Sequence, residues 1–98
     1  MNQNVAERTR LPNRRAHEII AFEHGGQRFT GGVGRFADGR IAELFLNANK
    51  AGSGAEIAAQ DAAMAASLAL QHGCDLDTLR RALNRSGPLG SFLALLDS

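Results

Sequence analysis

The residues best suited to chemistry sit in Asn47-Ala48-Asn49-Lys50-Ala51-Gly52-Ser53-Gly54, a segment that joins an apolar run to a helix start. Unpaired amides and the helix dipole favour an anion at such a junction, and Lys50 adds a full positive charge. Lys50, Gly52, Ser53 and Gly54 are therefore candidate ligands for a phosphate or similar group, with Arg35 and Arg40 as further cations. The spacing is not that of a Walker loop. A structural reading competes with this one: Ser53-Gly54-Ala55-Glu56 is a capping box, and the glycines suit a tight turn.

Other reactive types are scattered. His17, His24 and His72 lie too far apart to present a metal-ligand pair on one helix. Asp61, amid alanines, fits an ion pair with an arginine better than general acid-base work, because no partner carboxylate is evident. Cys74, the single cysteine, precedes a helix start that can stabilise a thiolate, yet a partly buried, inert thiol is the commoner condition. One thiol allows neither an intrachain disulfide nor a thiolate metal cluster, so the chain is not a complete redox or metal enzyme by itself. Catalysis is assigned to no residue.

The elements that must position these residues follow from local signals. Residues 1–9 are polar and without period, which predicts a flexible N-terminus ahead of a single α+β domain over 10–98. Ile19, Ile20 and Phe22 indicate a first strand, ended by His24-Gly25-Gly26-Gln27. A second strand over 28–36 carries Gly31, Gly32 and Gly34 on both faces, which permits close backbone approach. Asp38-Gly39 marks a turn into a third strand over 41–47. A long helix follows Ser53 and stops at Gly73, with Ile57, Met64 and Leu68 as its large apolar residues among alanines. A second helix starts at Asp75 and runs to about Asn84, with a core stripe of Leu76, Leu79, Ala82 and Leu83. After Ser86-Gly87-Pro88, the spacing of Leu89, Phe92, Leu93 and Leu96 predicts a short amphipathic helix. The order is a three-stranded antiparallel meander followed by two main helices and a short C-terminal one, with helices covering one sheet face.

The whole-chain numbers restrict function further. Ninety-eight residues make one domain, and a formal charge of +1 gives no field for a nucleic-acid backbone. Ten of the eleven basic residues are arginine, and neither Trp nor Tyr is present as a stacking platform, which argues against nucleic-acid binding. No apolar stretch reaches bilayer length and no secretory signal is visible, so a cytoplasmic location is expected. A half-covered sheet with two edges predicts a homodimer or higher oligomer.

Leu11-Pro12, Gly39-Arg40, Glu43-Leu44-Phe45-Leu46, Lys50-Ala51-Gly52-Ser53 and Ser67-Leu68-Ala69-Leu70 with Gly73 together resemble the TSCPD domain, over about Arg10 to Leu83. That domain occurs at the C-terminal end of adenosylcobalamin-dependent ribonucleotide reductases and also alone. The Thr-Ser-Cys-Pro-Asp segment that names the family is absent here, and no Cys-x-x-Cys tail follows, so metal binding and thiol relay are not carried over. The resemblance implies a non-catalytic accessory or regulatory domain of deoxynucleotide metabolism, binding a reductase chain or a nucleotide. Ribonucleoside-diphosphate reduction itself would belong to the partner chain, and adenosylcobalamin would enter only through that partner. The alternative is an independent oligomeric binder, of phage or prophage type, that sequesters a nucleotide or nucleotide-derived signal.

Overall fold

A computed structural model describes residues 17–83 and 87–96. The expectations for a flexible stretch over 1–9 and a fold beginning near Leu11 lie outside these residues. Three strands, β1 (His17–His24), β2 (Gln27–Arg35) and β3 (Ile41–Ala48), form an antiparallel sheet in the order β1-β2-β3. Three helices follow: α1 (Gly54–Gln71), α2 (Leu76–Ala82) and α3 (Pro88–Leu93). The α+β meander read from the sequence is the observed architecture.

Each junction has a local cause. Gly25 and Gly26 both take positive φ, 60° and 77°, as a two-residue hairpin between His24 and Gln27 requires. At the β2–β3 turn Asp38 accepts from the Arg40 amide (3.1 Å), and Phe36 N–H donates to Arg40 O (2.8 Å). The pairing slips by one residue between Gly34 and Arg35, so that Gly34 faces Glu43 but Arg35 faces Ile41. Helix α1 ends in a Schellman arrangement: Cys74 N–H reaches Ala69 O (2.9 Å) and Gly73 N–H reaches Leu70 O (3.2 Å), with Gly73 at φ 103°. Asp75 caps α2 by accepting from Thr78 N–H at 2.7 Å.

The alternation along the strands divides the sheet into two faces. Phe29 and Val33 of β2 with Leu44, Leu46 and Ala48 of β3 are buried beneath the helices, and Ile20 and Phe22 of β1 pack against them. Phe92 of α3, fully buried, enters this layer over Gly31 and stacks on Phe22 with ring centroids 5.4 Å apart. A Cβ at Gly31 would clash with the Phe92 ring. Leu89, Phe92, Leu93 and Leu96 are all buried, as their spacing predicts.

One expectation about helix faces, the core stripe of α2, is corrected, and α1 shows which of its apolar residues meet the sheet. In α1 the large residues stay out of the core, with Ile57 54 %, Met64 63 % and Leu68 40 % exposed, while Ala59, Ala63, Ala66 and Leu70 are buried. Small side chains let the helix axis approach the sheet, and the bulkier ones are left on the outer side. In α2 only Leu76 is buried; Leu79 and Leu83 are half-buried and Ala82 is exposed, because the helix is seven residues long and rests on the core by its first turn. It ends at Ala82, with Leu83 already extended, and the expected last residue, Asn84, is outside the described residues.

Candidate functional site

Helix α1 lies along β3 and satisfies that strand's outward backbone with side chains. Ser67 Oγ accepts from Leu44 N–H at 2.8 Å, and its single proton is shared between Ala63 O (2.8 Å) and Leu44 O (3.1 Å). Gln71 Nε2 donates to Ala42 O at 3.0 Å, and both side chains are buried. Toward the other end, Gln60 Nε2 donates to Asn47 Oδ1 at 3.0 Å. On the open side of this seam lies a groove of about 520 Å³, lined by Phe45, Met64 and Leu68 together with Glu43, Gln60 and Asp61. Its lining is mostly apolar with two carboxylates, which suits an apolar side chain or helix better than a phosphate. Asp61 is exposed there, and no arginine lines the groove with it.

The residues proposed for an anion are divided between two places. Lys50, Gly52, Ser53 and Gly54 follow β3, whereas Arg35 and Arg40 flank its beginning, and β3 is eight residues long. At about 3.3 Å per residue the strand sets the two groups more than 20 Å apart. In the turn, Ser53 Oγ accepts from Glu56 N–H (3.1 Å) and Glu56 Oε1 accepts from Gly52 N–H (2.8 Å). The capping box is thus formed, with the carboxylate reaching Gly52 instead of the cap residue's own amide. Glu56 occupies one of the donors that an incoming anion would use. Lys50 is exposed.

At the opposite end Arg35 grips Glu18 through Nε (3.2 Å) and Nη2 (3.0 Å), a bidentate pair across β1 and β2, and its Nη1 donates to Gly39 O at 2.8 Å. Those bonds hold the Glu18 carboxyl below its ordinary value, the side-chain hydrogen bond from Arg35 contributing most. Arg40 pairs with Asp38 (2.8 Å) and lies over the Phe36 ring, 4.8 Å from its centroid. Asp38 is lowered first by the Arg40 backbone amide and then by its guanidinium. Among the other cations, Arg28 is exposed on β2 near the β1–β2 turn, far from Arg35, and Arg14 and Arg15 lie outside the described residues.

A second cavity, about 360 Å³, opens between the β2–β3 turn and the start of α2. Phe36, Ile41, Leu70 and Leu76 line it together with Arg40, Cys74, Asp75 and Asp77. The Cys74 thiol is half-exposed and makes a long contact of 3.5 Å to Asp75 O. The Asp75 carboxyl is held low, chiefly by hydrogen bonding to Thr78. No group of three or more His, Cys, Asp or Glu among the described residues could hold a metal ion. His24 packs edge-on against Phe29, and His72 is the C-cap of α1.

Neither cavity was legible from motifs. Phe45, Gln60 and Leu68 carry no chemical signature, and they converge only because α1 docks beside β3 by its alanines. The apolar spacing of Ile57, Met64 and Leu68 was the available signal, and it marks the outer side of the helix.

The chain matches no protein-family profile and no solved structure. It is 38% identical over 71 residues to a vitamin B12-dependent ribonucleotide reductase of Agrobacterium fabrum, which is 72% of this chain and 6% of that protein. A reductase of the same name from Bradyrhizobium diazoefficiens is 34% identical over 73 residues, or 74% of this chain and 6% of the relative. Close to three quarters of this small α+β domain is thus related to a short segment of the vitamin B12-dependent ribonucleotide reductases.

Proposed function

We propose that the chain is a TSCPD-type accessory domain of deoxynucleotide metabolism whose task is to bind a ribonucleotide reductase chain. The observation that carries this reading is the relationship over 71 residues to a vitamin B12-dependent reductase, of which the chain spans 6%. In this reading the 71 related residues serve binding or regulation, and the radical chemistry lies in other parts of a reductase. The groove between α1 and β3 offers such a partner apolar side chains with Glu43 and Asp61 among them. No helix among the described residues is long and apolar enough to cross a membrane.

Adenosylcobalamin belongs in this reading to the reductase partner. Cavities of about 520 and 360 Å³ suit ligands of drug size or less, and a corrinoid with its nucleotide is larger. The second reading, capture of a nucleotide or nucleotide-derived signal, draws on Lys50 and the Gly52–Gly54 turn. It requires the phosphate to displace Glu56 from Gly52 N–H, which makes it the weaker of the two.

The test is co-sedimentation of the purified chain with a vitamin B12-dependent reductase, alongside native mass spectrometry with a panel of ribo- and deoxyribonucleotides. A complex with the reductase, weakened by Phe45→Glu, supports the first reading. A nucleotide adduct that disappears in Lys50→Ala, without any reductase complex, transfers the assignment to the second.

A further inference from the structure

The two margins of the sheet differ. Along β3 the outward backbone is taken by Ser67 and Gln71 of α1. Along β1 no described strand follows, and the hydrogen-bond pattern tells which groups face outward. Asn49 N–H donates to Arg28 O, so the even-numbered residues of β2 turn their backbone to β3 and the odd-numbered ones to β1. Across the hairpin, Gln27, Phe29, Gly31 and Val33 are matched to His24, Phe22, Ile20 and Glu18. Those four residues of β1 therefore bond β2, and Ile19, Ala21 and Glu23 turn N–H and C=O to the open edge. The side chains alternate in step. Ile20 and Phe22 pack half-buried against the core, which puts Glu18, Ile20, Phe22 and His24 on the helix-covered face and Ile19, 67 % exposed, on the other.

We propose that β1 pairs antiparallel with β1 of a second copy about a two-fold axis through Ala21, joining the two meanders into one sheet. The register follows from three constraints. A two-fold axis perpendicular to the sheet keeps the helices of both copies on one side, and a slip by one residue would send Ile20 and Phe22 to the wrong face. Outward groups must meet outward groups. Ile19 thus exchanges two hydrogen bonds with Glu23 of the second copy, Ala21 with its own equivalent and Glu23 with Ile19, about six bonds in all. Of the registers that remain, this one alone matches the chemistry: on the helix-covered face Glu18 falls opposite His24 and Ile20 opposite Phe22, each twice. Acid, apolar, apolar, base is an order that complements itself when reversed. These pairs lie between the bonded ones, where facing side chains come closest. A shift by two residues sets Glu18 against Phe22 in one direction and Ile20 against His24 in the other. In such strand addition main-chain bonds give affinity and alternate side chains give specificity. The groove beside β3 lies at the other margin, open to the reductase partner proposed above.

Sedimentation equilibrium over a dilution series of the full chain should show a monomer–dimer equilibrium. Amide exchange should slow with concentration at Ile19, Ala21 and Glu23 but not at Ile20 and Phe22, which already bond β2. Ala21→Pro removes the central outward N–H and spares the pairing with β2, and it should weaken association at least ~30-fold. His24→Glu places like charges opposite each other twice and should weaken it about 10-fold, whereas His24→Lys should keep it. Met64→Glu, on the exposed side of α1, should leave it unchanged. Circular dichroism melts establish that each variant is folded, and the exchange pattern of the wild-type chain needs no substitution. A wild-type chain that stays monomeric at about 100 μM, well above micromolar dissociation constants, overturns the proposal. So does a dimer indifferent to Ala21→Pro or to His24→Glu, a dimer lost in Met64→Glu, or edge amides protected equally at every dilution.

Discussion

Gly31 and Phe92 come from opposite ends of the described chain and meet as backbone and ring. The sequence announced that a strand with glycines on both faces would admit a close neighbour, but not which one, since a residue-level signal names the vacancy and leaves the occupant to tertiary packing. Gly31→Ala should therefore destabilise by about 1–3 kcal/mol through overpacking, and Phe92→Ala by about 3–5 kcal/mol through the cavity it leaves. The two effects should not add: in the double variant the new methyl enters space the ring has vacated, so its stability should equal or exceed that of Phe92→Ala alone. Additive losses in chemical denaturation would show that the ring and the glycine are not in contact. Ser67 is the other residue whose role the sequence concealed. A serine inside a helix normally reads as neutral or mildly unfavourable, whereas here its hydroxyl is the partner of a buried strand amide. Ser67→Ala should cost about 1–3 kcal/mol, because Leu44 N–H is left unmade, and Ser67→Cys should cost less.

At the scale of elements, boundaries were readable wherever a side chain or a glycine punctuates the backbone. Ser53 and Asp75 cap the helices they were expected to cap, and Gly25, Gly26 and Gly73 take the positive φ that ends each run. Ser53→Ala should lower stability by about 1 kcal/mol in a thermal melt, a change confined to α1 and the turn before it. What was not readable is orientation. A helix with alanine on one side and Ile57, Met64 and Leu68 on the other offers two apolar faces, and residue hydrophobicity alone favours burying the larger. Packing density decides otherwise: only the alanine side allows Ser67 and Gln71 to approach β3 closely enough to bond its backbone. The anion site divided for a related reason, since cations that are close in type were placed at opposite ends of one strand.

For the whole molecule, three carboxyls, Glu18, Asp38 and Asp75, have folded-state pKa values below their ordinary 4.5, 3.8 and 3.8. A lowered value means that each contributes stability present above its ordinary pKa and lost as pH falls through the folded one. The melting temperature should thus be level from neutral pH to about 5 and fall below about pH 4, with Glu18→Gln flattening part of that decline. A melting temperature that rises on acidification through this range would contradict the assigned hydrogen bonds. The relationship to a reductase segment describes what the domain resembles, and its surface describes how it can be approached. Of the two margins of the sheet, β3 is stoppered by Ser67 and Gln71, whereas no described strand lies beyond β1. A sheet open on both sides can be lengthened indefinitely, one added strand templating the next. A sheet with one stoppered side has a valence of one toward its own kind: two copies paired by their open edges form a joined sheet with no free edge left, and growth is finished. The two helix side chains that hold α1 in place are therefore also chain terminators in the polymer chemist's sense, protecting a small half-covered sheet from becoming a fibre.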